Sequence, residues 1–331
     1  MKKAIYLIML LLASSACSGK KAETAAAADA ATPEISAPVK ADADSLYALV
    51  EAQTSMGPRT PGSTAHARCR DFILSRLKAY GADTVTVQQA PVTTFEGKTF
   101  TAFNIMGRFN PGASRRVLLL AHYDTRPWAD RDADPANRHR PIDGANDGAS
   151  GVAGLLEIAR VAGDRLPEGL GLDLLFVDME DSGEIADMES DSGDDSWALG
   201  TKAWAAAMPY TFDNWPRYAI LLDMIGGRDA RFHREYFSEQ RAGQVVNRVW
   251  SIAAQSGFAD RFPNSRGGAI DDDHLPLLDA GVACIDIIES ANPETGSFNP
   301  TWHTMDDNLA NIDRRTMQEV VQVVLNTLYS D

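Results

Sequence analysis

Short, continuous runs of apolar residues recur along the chain and alternate with stretches of helical periodicity. Each run is long enough for a buried strand, and each is followed by polar residues or a turn. The runs are RVLLLAHYD (116–124), LDLLFVDMED (172–181), AILLDMIGG (219–227) and GVACIDII (281–288). The clearest helical patterns are GVAGLLEIARVA (151–162) and RRTMQEVVQVVLNTLY (314–329). Apolar strands that alternate with helices predict a central, largely parallel sheet that is covered on both faces.

The residues before the first of these runs follow two other patterns. Residues 63–82 have apolar side chains at helical spacing, and Gly81 stands where that helix is expected to end. Residues 83–94 and 99–109 alternate between apolar and polar side chains, which is typical of an antiparallel strand pair. We expect this pair to extend one edge of the sheet. Because no linker-like segment interrupts residues 43–331, the sequence predicts a single α/β domain with a mixed, largely parallel sheet flanked by helices.

The N-terminal residues differ from the rest of the chain in composition. Two lysines precede an apolar run, Ala4–Ala13, that is too short to span a bilayer, and small residues follow up to Cys17. This pattern is typical of a bacterial lipoprotein signal, residues 1–16, with lipid attached to Cys17; an ordinary secretory signal is the alternative. The Ala-rich residues 17–42 are predicted to form a flexible, lipid-anchored linker. We therefore expect a lipoprotein of the bacterial cell envelope, in the periplasm or at the outer membrane.

The charge of the chain narrows the classes of partner. Its 331 residues include 31 Lys and Arg against 46 Asp and Glu, a formal charge of −15, so no nucleic acid is expected as a partner.

Beyond Cys17, two cysteines remain: Cys69 in a helical pattern and Cys284 in a strand pattern. Two cysteines in a domain of this size do not make a disulfide framework. We interpret them as two separate buried thiols.

Histidine and acidic residues lie at or near the places where the strands are predicted to end. In an open α/β sheet, side chains at the carboxyl ends of the strands meet at one edge. Imidazole and carboxylate groups together suit zinc, and clustered carboxylates need a cation because they repel one another. Singly, each acid would be a helix cap or a solvated loop residue, and Asp147 has the position of an N-cap. As a group, they predict a metal site. The candidates are His122, Asp124, Asp147, Glu180, Asp181, Asp223, Asp272 and His303.

Six longer motifs carry a resemblance to a known family. They are LLLAHYDTRP, GANDGASGVAGLLEIAR, LLFVDMEDSGE, LLDMIGG, DDDHLPLLDAGV and WHTMDDNLANID. In this order, over about residues 45–329, they resemble the zinc aminopeptidase-like superfamily and, more narrowly, the glutaminyl-peptide cyclotransferases. The resemblance implies a mixed sheet flanked by helices and zinc as the cofactor. It also implies the conversion of N-terminal glutamine, in peptides or proteins, to pyroglutamate with release of ammonia.

The resemblance further implies roles for individual residues. Asp147, Asp181 and His303 would hold one zinc ion per chain, and Glu180 would be the proton shuttle. The family usually has a Glu–Glu pair where this chain has Glu180–Asp181, and aspartate still ligates zinc on a stem that is shorter by one methylene. The other implied site residues are the acid pair Asp223 and Asp272 and the pocket tryptophans Trp302 and Trp197.

A two-zinc aminopeptidase of the same superfamily is the main alternative. Its ligand types are all present, at His122, Asp147, Asp181, Asp223 and His303. Asp272 and Trp302 favour the cyclotransferase, because a carboxyl that shares a proton with Asp223 makes Asp223 a poor ligand for a second metal. His122 and Asp124 would then serve packing at the strand end. A non-catalytic binding lipoprotein is the third interpretation, although the chain retains the shuttle and all the ligands.

Other acidic residues are predicted to serve local structure. The helix caps among them are Asp271 and Asp273, before a helix that opens at His274, and Asp313, before the final helix. Asp306, Asp307 and Asn308 are predicted to shape the turn that aims His303. The acidic loop 182–196 lacks the spacing of an EF-hand, which favours a solvated lid over a calcium site.

Overall fold

A computed structural model describes residues 36–185 and 196–330 of the chain. The predicted signal segment, Cys17, most of the predicted linker and residues 186–195 of the acidic loop lie outside the described residues. The helices are α1 (Ala43–Thr54), α2 (Thr64–Ala79), α3 (Ala149–Ala162), α4 (Leu199–Ala205), α5 (Tyr236–Gln255), α6 (His274–Asp279) and α7 (Arg314–Tyr329). The strands are β1 (Thr84–Thr93), β2 (Thr99–Phe109), β3 (Arg115–His122), β4 (Leu170–Val177), β5 (Tyr218–Leu222) and β6 (Cys284–Ile287).

These strands form one mixed sheet in the order β1-β2-β4-β3-β5-β6. The neighbours β4 and β3, β3 and β5, and β5 and β6 are parallel. Strand β2 pairs antiparallel with both β1 and β4, so the hairpin β1–β2 extends one edge of a parallel core. The fold class expected from the sequence is therefore confirmed, including the position of the antiparallel pair.

Burial explains why the parallel strands appear in the sequence as continuous apolar runs. All eight residues of β4, all five of β5 and all four of β6 are buried. Since successive side chains of a strand point to opposite faces, complete burial means that both faces are covered. The edge strand β1 instead has exposed residues at alternate positions over most of its length. The strands whose ends carry the candidate residues are thus held in the most deeply buried part of the fold.

The folded region begins earlier than the sequence predicts. Ala37 and Ala41 are buried, although they belong to the predicted linker 17–42. Side chains of α7 hold this segment: the Ala37 amide donates to Asn326 Oδ1 at 2.8 Å, and Gln318 Nε2 donates to Ala41 O at 2.9 Å. Small residues in an Ala-rich segment carry no periodicity, so the sequence has no signal for this docking. The predicted boundary at residue 43 is therefore too late.

The predicted helix caps have different outcomes. Asp313 caps α7 as expected, because its side chain accepts a hydrogen bond from the amide of Arg315 at 2.9 Å. Asp273 occupies the N-cap position of α6 but makes no cap hydrogen bond there. Its carboxylate instead accepts from the Thr201 hydroxyl at 2.6 Å, which ties α6 to α4. The prediction for Asp273 was wrong because a tertiary contact replaced the local one.

Helices α1, α4 and α5 have no counterpart among the sequence predictions. Helix α5 buries Val245, Val246 and Val249, so its periodicity could have been recognised. Helix α4, with seven residues, is too short to give a periodic signal. Within residues 36–185 and 196–330, no helix is both long and apolar enough to cross a membrane.

Both cysteines of the folded region are buried free thiols, as predicted. Cys69 lies in α2 and Cys284 in β6. Burial raises the pKa of the Cys69 thiol to about 12, so it stays protonated at neutral pH. We therefore assign neither cysteine to the site chemistry.

Candidate active site

A cavity of about 310 Å³ opens beyond the carboxyl ends of the parallel strands. Its wall includes Glu180 and Asp181 after β4, Asp223 after β5 and Ile288 after β6. Ligands bind at this edge in open α/β sheets. The eight site residues that the resemblance implies all line this one cavity: Asp147, Glu180, Asp181, Trp197, Asp223, Asp272, Trp302 and His303. The other two strand-end candidates, His122 and Asp124, do not line it.

The loop before α3 carries Asp147, whose side chain is not a helix cap. The N-cap position of α3 belongs to Gly148, which has φ of 96°, and the helix has no side-chain cap. A Cβ on Gly148 would lie 2.8 Å from Asp124 O, so glycine lets the loop approach the end of β3. The carboxylate of Asp307 accepts hydrogen bonds from the amides of Asn146 and Asp147, at 2.7 and 3.1 Å. These contacts hold Asp147 at the cavity wall.

A turn directly after β4 carries Glu180 and Asp181. Met179, which precedes them, has φ of 60°, a left-handed conformation that bulky residues seldom adopt. The two carboxylate oxygens of Asp124 accept hydrogen bonds from the amides of Glu180 and Asp181, each at 3.1 Å. Asp124 also lies 3.6 Å from His122 Nδ1, as expected for a residue that packs at the strand end. Asp124 therefore positions the predicted shuttle and the predicted ligand together.

A buried pair of charges orients His303, whose backbone is also left-handed, at φ of 55°. Its Nδ1 lies 3.3 Å from Asp130 Oδ1, so its Nε2 faces Asp147 and Asp181. Arg126 holds Asp130 through two hydrogen bonds, from Nε at 2.8 Å and from a terminal nitrogen at 2.9 Å. A carboxylate on the outer nitrogen of a histidine fixes the ring and its tautomer for metal binding.

Two triples of His and Asp side chains share Asp147. In the first triple, His303 Nε2 lies 3.5 Å from Asp147 Oδ2 and 3.3 Å from Asp181 Oδ1. In the second triple, His122 Nε2 lies 3.1 Å from Asp147 Oδ1 and 3.1 Å from Asp223 Oδ1. Within each triple, the candidate ligand atoms all lie within 4.8 Å of one another. We call these triples the His303 side and the His122 side of the site.

The His303 side has the donor set and the electrostatics that suit a divalent cation. Both carboxylate oxygens of Asp181 are buried and accept no hydrogen bond within the described structure. Its nearby charged groups are His303 and Arg126, whose terminal nitrogen lies 3.5 Å from Asp181 Oδ1. A buried carboxylate without donors is strongly destabilising unless a cation compensates it. Carboxylate oxygens and an imidazole nitrogen are ligands that zinc prefers.

Burial sets the charge states of Glu180 and Asp272. Burial raises the pKa of Glu180 well above its usual value; the charge of His122 opposes this shift and that of Asp272 adds to it. Burial, followed by the charge of Asp223, likewise raises the pKa of Asp272 well above its usual value. Carboxyls whose charges act on one another, as those of Asp272 and Asp223 do, do not ionise independently. Both groups therefore hold protons more readily than exposed carboxyls do.

On the His122 side, the imidazole itself lies among carboxylates. Burial alone would lower the pKa of His122, but the carboxylates of Asp124, Asp147 and Asp223 around the ring raise it well above its usual value. An imidazolium ion here carries a positive charge into the middle of the acidic cluster. The carboxylates on this side thus have a partner for their charge within the chain.

Two tryptophan rings lie nearly parallel to the ring of His303. The Trp302 and His303 centroids are 3.9 Å apart with an interplanar angle of 26°, and those of Trp197 and His303 are 6.2 Å apart at 15°. A Cβ on Gly183 would come within 2.2 Å of the Trp197 ring, so glycine at this position lets the indole lie against the turn after β4. The cavity thereby gains flat aromatic walls beside the candidate metal ligands.

Sequence reasoning missed Arg126 and Asp130 and misjudged Asp307. Asp307 does belong to the turn after His303, since its amide donates to Thr304 O at 3.2 Å. Its carboxylate, however, serves the loop that carries Asp147. Arg126 and Asp130 are four residues apart in a charged loop, and their spacing does not distinguish them from the other charges of that loop.

Comparison with known proteins shows what the chain is similar to. The sequence model of peptidase family M28 matches residues 104–328. The chain is similar to Bacteroides thetaiotaomicron glutaminyl cyclase, whose crystal structure is bound to N-acetylhistamine, with 43% identity, a TM-score of 0.85, and coverage of 89% of this chain and 99% of that one. A Zn-dependent exopeptidase from Parabacteroides distasonis is also similar, with 43% identity, a TM-score of 0.84, and coverage of 88% and 99%. The glutaminyl-peptide cyclotransferase of Bos taurus is 29% identical over 293 residues, which cover 80% of this chain and 76% of the relative.

Proposed function

The chain belongs to peptidase family M28, and we propose that its activity there is that of a glutaminyl-peptide cyclotransferase. The substrate is a peptide or protein with N-terminal glutamine, and the products are the pyroglutamyl chain and ammonia. The observation that carries the proposal is Asp272, a buried carboxyl in the cavity wall whose protonation is coupled to the charge of Asp223. A carboxyl that holds a proton beside Asp223 disfavours a second metal on the His122 side.

The metal of this zinc-dependent, peptidase-like family belongs on the His303 side. Asp147, Asp181 and His303 would hold one zinc ion per chain, and the buried oxygens of Asp181, which accept no hydrogen bond from the described residues, support that assignment. Bound there, zinc would supply Lewis-acid polarisation of the γ-carbonyl of the substrate glutamine. Asp130 would keep His303 Nε2 directed at the ion, because it occupies the other ring nitrogen.

Glu180 is the group that moves the proton. The α-amine nitrogen of the substrate attacks the γ-carbonyl carbon, and the new C–N bond closes a five-membered lactam. Glu180 accepts the proton that this nitrogen loses and passes it to the amide nitrogen as the old C–N bond breaks, which releases ammonia. Burial brings the pKa of Glu180 closer to neutrality than that of an exposed glutamate, and this suits a group that both accepts and donates.

The cavity walls hold the glutamine side chain in a curled conformation. Trp302 and Trp197 present flat rings beside His303, and Ile270 and Ile288 add aliphatic surface. A substrate that is already folded toward its own amine loses less entropy in the ring closure. Asp223, held with Asp272, faces the cavity as an acceptor for the amine or the departing nitrogen.

One observation favours a second candidate function, a two-zinc aminopeptidase. The His122 side, with Asp147 and Asp223, is geometrically a second metal triple. The similarity to a Zn-dependent exopeptidase points in the same direction. If this chain were such an aminopeptidase, Asp147 would be a ligand of both ions and Glu180 would activate water. The non-catalytic binding lipoprotein is the remaining alternative.

Three substrates separate these functions. The purified protein is incubated with a peptide that begins with glutamine, with a control peptide that has glutamine in second position, and with a chromogenic leucyl substrate. Ammonia release from the first peptide alone supports the cyclotransferase, whereas hydrolysis of the leucyl substrate favours the aminopeptidase and silence on all three favours a binding protein. Metal analysis is the independent arm: about one zinc per chain is expected, against about two for the aminopeptidase.

We also propose that the chain is a lipoprotein of the cell envelope, anchored through Cys17. The motif MKKAIYLIMLLLASSAC and the Ala-rich residues after it support this proposal. In a bacterial host, Cys17→Ala should abolish labelling by a radioactive fatty acid and move the protein from the membrane fraction to the soluble one. Labelling that persists in the variant would refute lipidation at Cys17.

A further inference from the structure

Asp286 is a buried acid that the reaction described above does not use. It lies in β6 and is completely buried. Among the described residues, no N–H or O–H group donates a hydrogen bond to either of its carboxylate oxygens. Its amide donates to Ser238 Oγ at 2.9 Å, which fixes the backbone of this residue against α5. An aspartate inside an otherwise apolar strand is unfavourable unless some neighbour compensates for its burial.

The neighbours of Asp286 place it directly behind the acid pair. Leu221 of β5 is its partner in the parallel register, and Asp223, two residues further on, therefore has its side chain on the same face of the sheet. The side chain of Asp272 lies within hydrogen-bonding reach of Asp286. One oxygen of Asp272 accepts from the Asp273 amide at 2.5 Å, and the other is buried without a donor. The carboxyls thus form a row that leads from the cavity wall into the core.

His122 meets this row at its cavity end, 3.1 Å from Asp223, and the basic group beside Asp286 at the inner end is His274, which is engaged elsewhere. Its Nε2 lies 3.2 Å from Glu235 Oε2, and its Nδ1 is 3.9 Å from Asp286 Oδ2, beyond hydrogen-bond distance. Glu235 also caps α5 by accepting from the amide of Ser238 at 2.6 Å. The other titratable group beside Asp286 is the thiol of Cys284, which carries no positive charge. Within the described residues, these contacts leave Asp286, at the inner end of the row, to be neutralised by a proton.

Adjacent buried carboxyls do not all ionise, because each charge disfavours the next. Burial, followed by the charges of Asp272 and Asp223, raises the pKa of Asp286 well above its usual value. A protonated carboxyl is a hydrogen-bond donor as well as an acceptor. An Asp286 that keeps its proton can therefore supply the donor that Asp272 lacks.

We propose that Asp286 is a positioning residue that donates a hydrogen bond to Asp272 and so fixes the acid pair of the cavity wall. Asp286 does not line the cavity, and it acts on the substrate only through Asp272. This inference rests on the proposed function, in which Asp272 holds Asp223 in place for the amine or the departing nitrogen. The proposal gives a residue inside strand β6 a part in the reaction, whereas the eight site residues that the resemblance implies lie outside the strands.

The first test does not depend on catalysis. Infrared difference spectra of the full-length wild type and the Asp286→Asn variant are compared in water and in heavy water. The wild-type spectrum minus the Asp286→Asn spectrum should contain the C=O band of a buried protonated carboxyl, with a deuterium shift, because the bands of Glu180 and Asp272 are common to both proteins and cancel. A difference spectrum without that band would overturn the proposal, whatever the activity of the protein.

The second test uses variants that differ in their capacity to donate. Asparagine keeps an N–H donor at this position, whereas leucine has a similar volume and no donor. Asp286→Asn should retain kcat to within about threefold, and Asp286→Leu should lower kcat by about tenfold or more, since Asp272 then lacks its partner. The KM of both variants and their zinc content should stay close to those of the wild type. Cys284→Ala, in the same strand, is the control for a packing change and should leave kcat unaltered.

The two tests distinguish the inference from the function on which it rests. Equal kcat values for the Asn and Leu variants, or a Leu variant as active as the wild type, would overturn the role of Asp286 while the cyclotransferase stands. A wild type that releases no ammonia from Gln-peptides would instead overturn the function, and the infrared band would still decide whether Asp286 holds a proton. If Asp286→Leu does not fold, the Asn variant decides alone: a kcat loss beyond about tenfold contradicts the donor role.

Discussion

The His303 side and the His122 side contain the same residue types and share Asp147, yet they compensate for carboxylate charge in different ways. On the His303 side, both oxygens of Asp181 are buried without a donor, as expected where an ion belongs. On the His122 side, the imidazole lies 3.1 Å from Asp223, and Asp272 stands behind as a carboxyl that holds a proton readily. The comparison teaches that a list of ligand types does not give the number of metal ions. In the proposed assignment, that number follows from the groups around each carboxylate.

The two sides also differ in what holds them rigid. Arg126 and Asp130 form a buried ion pair behind His303, and Arg126 reaches the turn after β4 as well, through the carbonyl of Gly183 at 3.2 Å. On the other side, Asp124 stands behind His122 and binds the amides of the Glu180 turn. These supports agree with the proposed assignment, in which the His303 side holds the metal and the His122 side is a packed strand end.

The strongest test of this difference removes one ligand from the His303 side. In Asp181→Ala, we expect zinc to fall from about one ion per chain to almost none, because the affinity of the site for zinc depends on the complete ligand set. Ammonia release should be lost with the metal. Elemental analysis after dialysis and the Gln-peptide assay measure the two effects. Ser182→Ala, the adjacent residue, is the control and should retain both zinc and activity.

The matching change on the other side is His122→Asn, which should retain the zinc ion. Its expected defect is lower stability, since His122 connects Asp124, Asp147 and Asp223. Loss of one of two zinc ions from His122→Asn would break the comparison and restore the two-zinc aminopeptidase. Thermal denaturation and metal analysis of the same sample give both readings.

The next effect in size separates chemistry from metal binding on the same turn. Glu180→Gln should lower kcat by about 10²- to 10⁴-fold, because the amide cannot accept the proton of the α-amine. Zinc content should not change, since the shuttle is not a ligand. Glu184→Gln makes the same substitution four residues further on and should be nearly neutral. Activity of Glu180→Gln close to that of the wild type would remove Glu180 from this role.

A smaller effect tests the support behind His303. Asp130→Asn should weaken zinc binding by about 10- to 100-fold, because the neutral amide no longer fixes the imidazole through Nδ1. Competition with a chromogenic chelator measures that affinity without any substrate. Asp134→Asn, in the same loop but exposed, is the matched control. An unaltered affinity in Asp130→Asn would show that His303 is held by its backbone and its aromatic neighbours alone.

The sequence was most informative where structure is set by local pattern. Strands β3, β4 and β5 were recognisable because burial on both faces gives them runs of consecutive apolar residues. The hairpin was recognisable because its strands alternate between apolar and polar residues. The docking of Ala37 and Ala41 on α7 was not recognisable, since it depends on amide side chains far along the chain. Tertiary contacts of this kind have no periodicity.

The residues of the candidate site likewise divide into those that a local sequence pattern could predict and those that it could not. Residues that follow strand ends, such as Asp181 and Asp223, could be grouped because strand ends converge, and the structure brings all eight residues that the resemblance implies to one cavity. Asp130 could not be grouped, since its partner His303 is more than 170 residues away in the chain. Asp286 did leave a signal, an acid inside the apolar run GVACIDII, but its meaning required the position of Asp272.

The smallest expected effect distinguishes the two tryptophans that line the His303 side. Trp302 packs on Phe298 and stacks on His303, and a phenyl ring at this position would keep both contacts. The guanidinium over the Trp302 ring belongs to the exposed Arg131, whereas Trp197 lies 4.7 Å from the guanidinium carbon of Arg126. Trp302→Phe should therefore raise KM about two- to fivefold with kcat unchanged, since it trims a wall that binds the ground state and the transition state alike. Trp197→Phe should also loosen zinc slightly, because Arg126 supports Asp130. Steady-state kinetics and chelator competition on both variants decide the matter, and a Trp302→Phe variant that loses zinc would contradict the distinction.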